Sequence, residues 1–197
     1  MSDYVMGVTV GVPGQTSAIV IVSRVKEYGP RDPVTLNPRV TQKLDVVHCE
    51  RLPAGLRDSE IVAKLETLLG SYPYTGQTRV FIEHPGGKEA IRRMRDQLRP
   101  GLAASEQGVK VVQDSDGTRY TPDGLRRTSQ WEMVSYLVPI CADAELQNSF
   151  PELTQQLLAA DPSAAWREGD SDLASALFLA AWFSRGPIGG PRAELLC

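Results

Sequence analysis

The sequence predicts an α/β fold with a mixed five-stranded sheet, its first three strands antiparallel, flanked by helices. Two observations lead there. The opening fifty residues hold three segments rich in β-branched residues and separated by turn chemistry, and the following sixty alternate helical and strand patterns. An antiparallel meander that passes into alternating α and β segments gives a sheet of mixed direction with helices packed on it.

The elements follow in chain order. Residues 4–12 form a β-branched run, Pro13-Gly14-Gln15 is a turn, and residues 17–25 are a second run, so the two predict a hairpin. Residues 28–40 hold three prolines and a glycine and read as a loop, with a third strand over 43–51. Asp58 or Ser59 is positioned to cap a helix to Leu69, with Ile61, Leu65, Leu68 and Leu69 on one face. Thr78–Glu83 (TRVFIE) is a short strand of buried type. Gly86-Gly87 opens a helix that Pro100-Gly101 stops near Leu98, and residues 109–113 form a fifth strand. The polar stretch 114–123 reads as a hairpin or mobile loop. Helices are expected over 128–142, 151–160 and 170–184, and the tail 186–197 (residues 1–185 being the domain) is rich in Gly and Pro and expected to fray.

Composition narrows the functional classes. The chain has 197 residues, 42% hydrophobic and 23% charged, enough for one domain with a true core. Its net charge of −3 gives no global attraction for a polyanion, so nucleic-acid contact requires a local basic patch. Cys49, Cys141 and Cys197 are odd in number and widely spaced, which predicts reduced thiols in a cytoplasmic setting and neither a disulfide framework nor a zinc site. No signal peptide is read at the N-terminus, and the apolar run 174–183 is too short to span a bilayer, so no membrane role is expected.

Three segments carry chemistry: VMGVTVGVPGQTSAIVIV (5–22), RVFIEHPGGKEAIRRM (79–94) and AWREGDSDLASALFLAAW (165–182). Together and in this order they resemble the nuclease domain of phage terminase large subunits, a ribonuclease H-like fold. Those enzymes cut concatemeric DNA during head filling. The resemblance covers most of the chain. It implies double-stranded DNA as partner, Mg²⁺ or Mn²⁺ as cofactor, and Glu83, Asp172 and Asp170 as catalytic, metal-holding acids.

Two departures qualify what the resemblance implies. No GxxxxGK[ST] run is present, so the sequence holds no motor ATPase and reads as a stand-alone domain, a split subunit or a domesticated relative, working with a separate packaging ATPase or portal-type protein. Thr9 stands where the family has its first catalytic Asp. That carboxylate bridges two cations roughly 4 Å apart, which clamp the attacking and leaving oxygens of the phosphodiester. A neutral hydroxyl is a poor ligand for a hard cation, so the two-ion geometry is expected to be weakened or lost, leaving a single ion or none.

Other residues admit two readings. Lys88, Arg92, Arg95 and Arg99 recur at spacings of 4, 3 and 4 on one helical face, as a phosphate-contacting stripe or as solvated surface. Arg126 and Arg127 can flank a DNA groove. His84, beside Glu83, suits acid–base chemistry or a turn. Asp170 and Asp172 suit helix capping as well as metal binding. The leading functional expectation is an impaired metal-dependent nuclease acting on double-stranded DNA. The alternatives are a pseudonuclease that binds DNA or a packaging protein without chemistry, and an active enzyme that recruits Asp3 or Asp114 in place of residue 9.

Overall fold

The computed structural model describes residues 4–36, 38–100, 109–111, 119–120, 127–128, 146–159 and 172–184. Tyr4–Thr9 (β1) pairs antiparallel with Ser17–Arg31 (β2), which pairs antiparallel with Pro38–Leu52 (β3). Asp58–Leu69 (α1) leads to Thr78–Glu83 (β4), which lies parallel to β1 on its other side. Gly87–Gln97 (α2) then crosses to Val109–Val111 (β5), parallel to β4. Arg119–Tyr120 (β6) and Arg127–Thr128 (β7) make a separate small antiparallel pair. Leu146–Gln147 (β8) precedes the helices Pro151–Ala159 (α3) and Asp172–Ser184 (α4).

The five expected strands therefore form one mixed sheet, to which two-residue β8 adds at the β3 edge, giving the order β5-β4-β1-β2-β3-β8. Alternation along the central strands divides the core in two. Met6, Val8, Ile19, Ile21, Val80 and Ile82 face α1 and α2. Val5, Val20, Val22 and Phe81 face α4 and, at its flank, α3. Period-two patterning thus builds a sheet covered on both sides, which is why β1 and β4 read as nearly continuous apolar runs.

α4 is buried almost all round, with Leu173, Ala176, Leu177, Leu179, Ala180 and Ala181 each at most 1% exposed. A helix apolar on every side belongs in an interior. Its small residues let it approach β1 closely. A Cβ placed on Gly7 would lie 2.0 Å from the Ala176 carbonyl oxygen and 2.9 Å from Ala180 N, so the glycine is there for contact between two backbones.

Several boundaries differ from the sequence expectation. The stretch 28–40 is not a loop: β2 and β3 continue as a long hairpin, and only 32–37 connects them. Its prolines mislead because Pro30 sits at a register irregularity between Tyr28 and Arg31, and Pro38 pairs opposite Arg31. Proline is tolerated at such bulges and unpaired edges. Asp58 is the first residue of α1 and not its cap. Arg57 holds the cap position, its N–H donating to Glu60 at 2.8 Å, while Asp58 is taken by His84. Residue 128 lies in β7 instead of opening a helix. Residues 129–142, the tail 186–197, Asp3, Asp114, Arg126, Asp170, Cys141, Cys197 and Trp166 lie outside the described residues.

The close approach at Gly7 sets a stability test. Gly7→Ala is expected to cost about 1–3 kcal/mol or more, as overpacking against backbone does, read as a lowered urea midpoint. An unchanged midpoint contradicts the packing of α4 on β1.

Candidate functional site

Four strands line up one row of residues where β1 and β4 end. Thr9 pairs with Glu83 on one side and Ala18 on the other, and Ala18 pairs with Arg51. By strand alternation all four face α4: Glu83 follows Phe81, Thr9 follows Gly7 under Ala176, and Ala18 belongs to the α4-side core. The carboxyl edge of parallel strands in an α/β sheet is where ligand sites collect. The structure therefore brings Thr9 and Glu83 side by side, the Val10 N–H donating to the Glu83 carbonyl at 2.9 Å.

Asp172 reaches this row from the first turn of α4. Its carboxylate is 7% exposed and fully engaged. Arg51 donates from Nε to Oδ2 at 2.9 Å and from Nη2 to Oδ1 at 3.0 Å, a two-pronged fork. The Thr16 hydroxyl donates to Oδ2 at 2.7 Å. Gln156 Nε2 and the Leu173 N–H each donate to Oδ1 at 2.9 Å. A carboxylate offers about four lone-pair directions, so these donors occupy them all. The third arm of Arg51 meets Glu152 on α3, and Gln156 Oε1 accepts from the Ala174 N–H at 3.0 Å. One arginine thus ties β3, α3 and the start of α4 together.

Thr9 contrasts with Asp172. Its Oγ1 is buried and has no hydrogen-bond partner among the described residues. Leaving a hydroxyl in that state costs on the order of 1–3 kcal/mol. Among the described residues no group of three or more His, Cys, Asp and Glu side chains is arranged to hold a metal.

Electrostatics follow from the fork. Burial opposes ionisation of Asp172, but the hydrogen bonds from Arg51, Thr16, Gln156 and Leu173 outweigh it and hold the carboxyl below its usual value. Cys49, two residues before Arg51 on β3, is pushed up to about 11, first by burial and then by the Glu152 and Asp172 carboxylates, against the pull of Arg51. It is a packing thiol with little thiolate at neutral pH.

The remaining candidates are placed elsewhere. His84 Nδ1 accepts from the Gly86 N–H at 2.8 Å, which leaves Nε2 to donate to Asp58 at 3.0 Å. It thereby fixes the β4–α2 turn to the start of α1. Gly87, at φ 64°, completes that turn. Lys88, Arg92, Arg95 and Arg99 are all exposed, in or just beyond the helix layer that covers the opposite face of the sheet from the Thr9–Glu83 row. Three of them meet acids: Arg92 with Glu89, Arg95 with Asp96, and Arg99 with Glu66. Arg127 lies in β7, pairing with Tyr120. Trp182 is buried in the α4-side core.

Sequence reasoning missed Arg51, Thr16, Gln156 and Glu152. The pairing of Ala18 with Arg51 follows once the hairpin register is known, and treating 28–40 as a loop hid that register.

No protein-family model and no curated protein sequence matches the chain. Solved structures do. The large terminase nuclease from thermophilic phage G20c superposes with a TM-score of 0.55 at 16% identity, over 94% of this chain and 83% of that one. The human cytomegalovirus terminase nuclease domain, crystallised with a manganese soak, gives 0.53 at 12% identity, over 92% and 83%. The chain has the terminase nuclease fold.

Two outcomes test the fork. Arg51→Ala is expected to cost about 1.5–3 kcal/mol, the range for hydrogen bonds to a charged group. Because the folded carboxyl titrates below its unfolded value, the fork's contribution is complete above the ordinary carboxylate range and lost as pH falls through the depressed value. Urea unfolding across pH 2–7 checks both. The variant should lose part of the acid-side dependence, and curves of equal shape would refute the pairing.

Proposed function

We propose that this chain is a non-cleaving module with the terminase nuclease fold that engages double-stranded DNA in phage-type packaging, its metal chemistry replaced by an internal ion pair. The observation that carries this reading is the Arg51–Asp172 fork beside Thr9. A fold of this family implies divalent cations, and the described residues do not fit them. Two hard cations need several anionic oxygens converging on them. Here one expected oxygen ligand is a hydroxyl, and both oxygens of another are saturated by a guanidinium and three further donors. A fixed cationic side chain in the place of a mobile cation supplies charge balance and rigidity but no activated water.

The reading of an impaired nuclease at Glu83, Asp170 and Asp172 is disfavoured on the same ground, since Asp172 would have to shed Arg51 before binding Mg²⁺ or Mn²⁺. A motor ATPase or portal-type protein is the natural companion for a DNA-engaging module of this fold, and such a motor lies outside these 197 residues, which hold no phosphate-cradling loop.

The experiment combines two readouts on the wild-type chain. Incubation of supercoiled plasmid with Mn²⁺ or Mg²⁺ is expected to leave it intact, while a fluorescent duplex at 50 mM salt is bound, more weakly as salt rises. Thr9→Asp alone is expected to restore no cutting, because Arg51 still holds Asp172. Robust cleavage that Glu83→Ala abolishes, or no duplex binding at low salt, would overturn the proposal.

A further inference from the structure

The β2–β3 hairpin outgrows the sheet that carries it. Among the described residues β1 pairs with β2 as far as Ser23, and β8 meets β3 at Leu44 and Asp45. Beyond those residues Arg24–Arg31 and the facing part of β3 run on as a two-stranded ribbon, with no further strand on either outer edge among the described residues. Eight residues of strand reach about 26 Å at about 3.3 Å each. Asp32 braces the turn: its Oδ1 accepts from the Val34 and Thr35 N–H groups at 2.8 Å each, and its carbonyl accepts from Leu36 N–H at 2.8 Å.

The ribbon's charge runs against that of the rest of the chain. Residues 24–43 carry Arg24, Lys26, Arg31, Arg39 and Lys43 against two acids, a net of +3 within a total of −3, so the remainder carries −6. Its tip is apolar and in solvent: Tyr28, Val34 and Leu36 are 69%, 88% and 68% exposed. An unpaired edge with exposed apolar residues is an aggregation hazard unless charge protects it or something covers it.

We infer that this ribbon is the DNA-docking element of the molecule, a projecting arm that enters a groove of the double helix. The inference rests on the DNA-binding reading above and says where that binding occurs. A two-stranded ribbon fits the major groove, which is about 12 Å wide. Its net positive charge is drawn to the flanking phosphates, and Val34 and Leu36 meet base edges or thymine methyls at the tip. The ribbon leaves the sheet from the end where β1 begins, whereas Thr9, Glu83 and Arg51 lie where β1 ends. Docked DNA is thereby held away from the former cleavage row, with the −6 body turned from the duplex.

The test measures fluorescence anisotropy of a 20-base-pair duplex at 50–300 mM salt with the full chain. It compares wild type, the ribbon variant Lys26→Thr/Arg31→Thr/Arg39→Thr, and the α2 variant Arg92→Ser/Arg95→Ser, each checked for native circular dichroism. The ribbon variant is expected to bind at least tenfold more weakly at 50 mM salt, with its salt slope reduced by about 2–3, as for three lost phosphate contacts. The α2 variant should change binding less than threefold. Amide hydrogen exchange on the wild type should gain protection over 24–43 when duplex is added. Wild-type binding that the ribbon variant retains in full, or protection confined to α2, overturns the ribbon assignment and leaves the DNA-binding reading standing. Failure of the wild type to bind duplex overturns both. Concentration-dependent self-association abolished by Val34→Asp/Leu36→Asp, without duplex binding, assigns the tip to a protein contact and overturns the inference.

Discussion

A single guanidinium organises the carboxyl edge of this sheet. Arg51 satisfies Asp172 at the start of α4, and Asp172 could not be buried at 7% exposure without a partner of opposite charge. α4 in turn covers β1 and β2 at van der Waals distance through Gly7, Ala176 and Ala180. The fork therefore fixes the register of the helix along the sheet, and with it the α4-side core. The same contact engages both carboxylate oxygens of Asp172.

Position 9 lies at the end of β1 beside Glu83, where a carboxylate would face α4, yet it holds a threonine whose buried hydroxyl makes no hydrogen bond among the described residues. Glu152 and Gln156 on α3 bracket Arg51 and Asp172, so the pair is embedded in a network and not a passing surface contact. Such networks resist removal of one member more than exposed pairs do, because each loss strands a charge. Three of the four basic residues that pattern alone marked for DNA in and just beyond α2 meet acids, and all belong to the layer on the other face. The ribbon carries a net positive charge, with Lys43 meeting Glu27 inside it.

Much of the fold was legible in sequence because its signals are local and periodic. The apolar runs of β1 and β4 and the 3.6-residue pattern of α1 mark elements whichever way the chain later folds. Gly7 and the alanines of α4 belong to a recognisable pattern whose packing reason the structure supplies. The hairpin was misread because three prolines outweigh β-branched residues in any local reading, although a bulge and an unpaired edge accommodate them. Arg51 was invisible for a related reason: its importance depends on pairing across a turn and on a helix 121 residues away. The three acids that the resemblance singled out fared differently. Glu83 comes together with Thr9, Asp172 joins them but is bound to arginine, and Asp170 lies outside the described residues.

The central claim is that arginine has taken the place of metal, and anomalous diffraction from a manganese-soaked crystal tests it most directly. The account expects no manganese peak within coordination distance of Asp172 and an intact two-pronged contact from Arg51. One or two ions bridging Glu83 and Asp172, with the Arg51 side chain swung away, would contradict it.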